Sequence, residues 1–173
     1  MNTPFQRGSV LIVSLLMLLV LTIIGITVMG TSTLEEKMAG NSRDQNLAFQ
    51  AAEAGLRDAE AYVEGIASVT AFNGTGGLYN SSTALAPDIY SNATWSGTAS
   101  IIYSGSDIPG VKTKPRYIVE FISTTGKTNP ELESCYGCST GEGTVTNVRI
   151  TARGTGGSDN ATVILQEYYG KRF

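Results

Sequence analysis

Cys135 and Cys138 stand in the sequence CYGC, a spacing that suits either thiol–disulfide exchange or a structural disulfide. Ser139, Thr140, Gly141 and Gly143 follow, so no helix N-terminus is evident there to stabilise a thiolate. Other chemistry is scarce. The 173 residues include no histidine, which excludes a Ser/His/Asp or Cys/His nucleophile, an imidazole base and a histidine-containing zinc site. Two cysteines cannot make a four-cysteine metal site. The glycine clusters Gly74–Gly77 and Gly154–Gly157 lack the Lys-Ser/Thr ending of a phosphate-binding loop and read as turns. Twelve basic against fifteen acidic side chains give a net charge of −3, the opposite of the basic face that nucleic acid demands. No cofactor is implied.

The elements that must position these residues begin with an anchor. No charged residue lies between Arg7 and Glu35, and Val10 to Met29 holds 16 apolar residues in 20. Twenty helical residues rise about 30 Å, the thickness of a bilayer's hydrocarbon core. Arg7, on the leading flank, predicts a cytoplasmic N-terminus and an exported remainder. A cleaved secretory signal is the alternative, but its apolar region is shorter and ends in an A-x-A pattern that is missing here. A plain single-pass anchor with a periplasmic domain is another. Export would put Cys135 and Cys138 in an oxidising space, which favours a disulfide closing a small surface loop over redox chemistry. So short a loop is worth only about 2 kcal/mol.

From Glu35 to about Ser68 the chain becomes charged and alanine-rich, without proline. Phe49, Ala52, Leu56, Ala59, Val63 and Ile66 repeat at steps of three and four, one stripe of an amphipathic helix. Glu53 and Arg57 add a favourable pair, and Glu53, Asp58, Glu60 and Glu64 read as a solvated face. If it runs on from the apolar segment, this helix covers about 60 residues and some 90 Å, with Gly25, Gly30 and Gly40 as its weak points. Residues 71–98 read as a connecting loop rich in Gly, Ser, Asn and Thr. Four strands are expected after it, over residues 99–103, 116–123, 144–153 and 161–169. The third alternates, with Val148, Ile150 and Ala152 on one face. GTGGSDN (residues 154–160) predicts an antiparallel hairpin with a mobile tip. The whole is an α+β layout, a helix stripe on a four-stranded antiparallel sheet spanning 99–173.

This order of parts resembles a type IV pilin. It is most similar to the PilX family of minor pilins, relatives of the K-type pseudopilins of type II secretion. The resembling stretches are RGSVLIVSLLMLLVLTIIG (residues 7–25), EEKMAGN (35–41), AFQAAEAGLRDAE (48–60), RITARGTGG (149–157) and ATVILQEYYG (161–170). The resemblance implies a leader of residues 1–8, cleavage after Gly8 by a prepilin peptidase and methylation of the new terminus, Ser9. Residues 9–34 would then be a transmembrane and filament-core helix, with Val10, Leu11, Ile12, Val13, Leu15, Leu16, Leu18, Leu19, Val20, Leu21, Ile23 and Ile24 as its apolar surface; residues 35–70 form the amphipathic continuation. Ser9 stands where major pilins expose phenylalanine.

A second departure is Val13, at the position where major pilins carry a glutamate that pairs with a neighbour's terminal ammonium. Without it the subunit suits the first-assembled tip, where no earlier subunit needs that partner; the alternative is that Val13 simply strengthens an anchor. The resemblance implies a non-enzymatic part of a tip or priming complex supporting pilus assembly, twitching motility and adhesion. Its implied partners are other minor pilins, the major pilin, a tip adhesin, the prepilin peptidase and the inner-membrane assembly machinery. It implies a location in the bacterial inner membrane before assembly and in the extracellular pilus afterwards. A type II secretion pseudopilin is the near alternative. A membrane-tethered periplasmic thiol oxidoreductase using Cys135 and Cys138 is the alternative from another class.

Overall fold

The structure is a computed structural model that describes residues 9–125 and 145–172. Gly8, Cys135 and Cys138, with the processing and disulfide readings attached to them, lie outside the described residues. The described chain runs α1 (Ser9–Gly65), a 3-10 turn (Val69–Ala71), β1 (Leu78–Asn80), α2 (Asn92–Ser96), β2 (Ile101–Ile102), β3 (Arg116–Thr125), β4 (Val145–Thr155) and β5 (Thr162–Arg172). It divides into two compact units, one through Ser42 and one from Arg43 onward.

The first unit is helical and makes its own hydrogen bonds. Ser14, Thr22, Thr27, Thr31 and Thr33 donate their hydroxyls to carbonyls three or four residues back, at 2.7–3.0 Å. Each hydroxyl is thereby satisfied inside the helix, the requirement for a polar group facing an apolar medium. Gly25, Gly30 and Gly40 sit within unbroken helix.

The second unit packs the rest of α1 on one face of the sheet. Ala48, Ala51, Ala52, Gly55, Leu56, Ala59 and Val63 are buried, against Tyr117 and Val119 of β3 and Val148, Ile150 and Ala152 of β4. The expected stripe is rotated at its start: Ala48 and Ala51 are buried while Phe49 is half exposed. The cause is backbone proximity. A Cβ on Gly154 would collide with the Ala48 carbonyl and the Ala52 amide, so β4 comes too close for a phenyl ring to lie between.

The sheet has five strands in mixed order, not four antiparallel ones. β1, β3, β4 and β5 lie side by side, with β1 parallel to β3, and β2 pairs with β3 off this row. The parallel strand arises inside the expected loop 71–98. Gly74, Gly76 and Gly77 take positive φ there, and the turn they permit lays Leu78–Asn80 beside Val119–Phe121. Asn73 and Asn80 side chains accept from Thr75 and Ser82 amides at 3.1 and 3.0 Å, the Asx turns that brace it. The same stretch supplies Trp95 and Tyr79, which cover Ile118 on the far face of the sheet.

Candidate functional site

Two surfaces carry what the chain offers to other molecules. The first is the apolar segment of α1. Val10, Leu11, Ile12, Val13, Leu15, Leu16, Leu18, Leu19, Val20, Leu21, Ile23 and Ile24 all lie on α1, and every one is exposed. Such a surface runs all the way round the helix. It is too long and too apolar to be left to water, and α1 is long and apolar enough to cross a membrane. Ser9 opens the helix, and no acidic residue stands in its first turn.

The second surface lies along the seam between α1 and β5 in the head. The carboxylates expected to form a solvated helix face also make specific contacts, and Glu64 stays exposed. Glu53 forms an exposed pair with Arg57. Asp58 accepts from the Ser104 amide at 2.9 Å and the Ser104 hydroxyl at 2.5 Å, strapping the loop before β3 to the helix. Glu64 accepts from the Tyr169 hydroxyl, which raises the tyrosine's pKa. Glu60 stands against Glu167 of β5. Burial first, then the charge and proton-sharing of Glu60, push the Glu167 carboxyl up. The Glu167 Oε1 atom is buried with no hydrogen-bond partner among the described residues. Next along β5, Lys171 donates to the carbonyls of Val63, Glu64 and Ile66 at 2.8, 2.5 and 2.7 Å, closing the helix end.

The contacts with β5 join residues more than 100 positions apart, so no local spacing announces them. The one available signal is a charged residue on the inward phase of an edge strand: Glu167 and Lys171 fall in register with Ile150 and Thr146, both buried. On the opposite face of the sheet Arg149 pairs with the buried Glu120, which raises the guanidinium's pKa. Arg116 reaches the Ser100 hydroxyl at 2.8 Å and its carbonyl at 2.9 Å. An open groove of about 530 Å³ lies between Gln50, Glu53, Ala54, Arg57 and Asp58 of the helix and the Tyr103–Gly105 loop. It sets no nucleophile beside a base. Among the described residues no group of His, Cys, Asp or Glu is arranged to hold a metal ion.

A helix that begins apolar and continues as an amphipathic segment, the latter packed on a sheet, is a pilin-like architecture. Two family profiles match the chain: "PilX N-terminal" over residues 7–57 and "Type IV pilus assembly protein PilX C-term" over residues 66–171. The chain belongs to the PilX family of type IV pilus minor pilins. Its function lies in type IV pilus assembly, where it meets other pilus components. No curated protein and no solved structure matches it.

Proposed function

We propose that the chain is a minor pilin of the tip or priming complex, which initiates pilus assembly and thereby supports twitching motility and adhesion. Residues 1–8 act as a leader removed after Gly8, and the new terminus at Ser9 is methylated. The subunit waits in the inner membrane, held by Val10 to Met29, with its head on the periplasmic side. Assembly exchanges lipid for the packed helices of other pilins. Leucine and lipid tails are similarly apolar, so packing and external work drive that exchange, not hydrophobicity.

The observation that carries this reading is the exposed apolar girdle on residues 10–29 of a pilus-family chain, with valine at position 13, where the resemblance to major pilins leads us to expect a carboxylate. A buried carboxylate demands a cationic partner, and a neighbour's terminal ammonium supplies one. A subunit with valine there leaves an earlier subunit's ammonium unmet and fits where none precedes it. The protein's role is structural, and its partners are other minor pilins, the major pilin and a tip adhesin.

Mass spectrometry of membrane extracts tests the processing step: the chain should begin at methylated Ser9, and Gly8 replacement should leave the full precursor and no surface pili. Normal pili on cells that contain only the unprocessed chain would refute the reading.

A further inference from the structure

β5 is the last strand of the sheet, and among the described residues its single strand neighbour is β4. Its eleven residues pair with β4 in one unbroken register from Thr155↔Thr162 to Val145↔Arg172. That is about twice the usual strand length. A long edge displays a row of unpaired amides and carbonyls, and proteins normally blunt it with a proline, a bulge or a short strand. β5 has none of these, since the irregularity in the sheet falls between β3 and β4 at Phe121/Ser123.

One protective device is present, and it is selective. Glu167 points to the helix side of the edge, in register with Ile150. Its Oε1 atom is buried and unpartnered, and the group pressed against it is Glu60, another acceptor. Glu64 adds a third carboxylate through Tyr169. An apolar strand laid on this edge would bury those charges and be rejected. A strand with a cation at that point would meet them. The same carboxylate therefore excludes one class of partner and admits another.

We propose that the open edge of β5 accepts an extended segment of another protein, and that this segment places a lysine or arginine beside Glu167, Glu60 and Glu64. Backbone hydrogen bonds along the edge supply the general affinity, and the cation fixes register and choice of partner. Tyr168, on the opposite face of β5 and largely exposed, offers an aromatic contact for the alternate side chains of the incoming strand. The inference is independent of where in the filament the subunit sits.

The test uses the full chain in detergent micelles and two synthetic peptides of alternating threonine and valine, one with a central lysine and one with a central glutamate. Binding is read by fluorescence anisotropy, and amide exchange is followed over residues 162–172. The lysine peptide should slow exchange there and bind at least about tenfold more tightly than the glutamate peptide. Glu167→Gln should shrink that preference to about threefold or less and let a third peptide with no central charge bind more tightly than it binds the wild type. Equal affinity for the two peptides, or no binding by either, overturns the proposal. So does finding every β5 amide already protected in the free chain, which would mean that a segment of the chain itself covers the edge.

Discussion

Asp44 and Ser158, 114 positions apart, are joined twice: the Asp44 carboxylate accepts from the Ser158 amide at 3.2 Å and from its hydroxyl at 2.5 Å. The Gly157 amide donates to the same carboxylate. Asp159, the next residue, bonds Lys112 and, at 2.8 Å, Thr113. The β4–β5 turn, expected from its GTGGSDN sequence to be mobile, is thus pinned at both ends. Small residues allow a tight turn, but they do not decide whether the turn is free. Here a side chain from the helix supplies the acceptor that three donors need.

The Asp44 contact sets an acid limit. Its carboxyl is held below the ordinary aspartate value of 3.8, chiefly by the Ser158 hydroxyl; burial opposes this, and the Gly157 and Ser158 amides add to the lowering. A lowered pKa contributes stability above the unfolded value and loses it as pH falls through the folded one. Asp44→Ala should lower the unfolding temperature at neutral pH and speed amide exchange at Gly157 and Ser158. Asp44→Asn, which keeps one acceptor, should do so less. The difference between wild type and Asp44→Ala should vanish in strong acid, as thermal melts across pH would register.

Gly154 governs how closely helix and sheet meet. A methyl there would collide with the Ala48 carbonyl and the Ala52 amide, backbone atoms that cannot swing aside. Gly154→Ala should cost about 1–3 kcal/mol through overpacking. Gly76 is the control: it has open space and φ +62, so alanine there meets only backbone strain of about 1 kcal/mol. Denaturant titration of both variants compares them directly. Equal losses would mean that helix–sheet contact at Gly154 is looser than its geometry indicates.

The opposite pH behaviour belongs to Glu167. Its carboxyl is raised above 4.5, first by burial and then by Glu60, with Glu64, Tyr169 and Lys171 the other titratable groups along the same seam. A carboxyl raised by folding contributes most below its unfolded value, and that contribution is lost as pH rises through the folded one. Glu167→Gln should therefore match wild type near about pH 4 and become the more stable protein by about pH 7. Thermal melts over that range would show the gap opening. A gap that closes instead would mean Glu167 has a cationic partner in the free chain.

Much of the fold was legible because burial imposes periodicity. Val148, Ile150 and Ala152 alternate and are buried; Ala52, Leu56, Ala59 and Val63 follow the helical period and face them. The apolar segment announced itself by composition. What escaped the sequence depends on distance along the chain. The parallel strand β1 is three residues long, shorter than any pattern, and exists because Gly74, Gly76 and Gly77 turn it onto β3. Glu60 and Glu64 looked solvated because a helix reveals only its own period, and the strand that meets them begins about a hundred residues later. Phe49 kept the period yet lost its place, since Gly154 fixes the closest approach and glycine carries no periodic signal.

Val13 allows the most direct test of position in the filament. It stands on the exposed apolar surface of α1, where major pilins are expected to carry a glutamate. An unpaired carboxylate in hydrocarbon costs on the order of 3 kcal/mol, so a glutamate here is tolerated best once an ammonium meets it. Val13→Glu should thus weaken the hold of the membrane and favour placement beneath an earlier subunit. Tagged wild-type protein is expected at filament ends in few copies, and the Val13→Glu variant along the shaft as well, both read by gold labelling of sheared pili. A further arm separates anchoring from pairing: Val13→Gln, polar and of the same size as glutamate but unable to bear the charge, should remain at the ends. Shaft labelling by wild type, or by Val13→Gln as readily as by Val13→Glu, would show that the valine serves the anchor and does not set position.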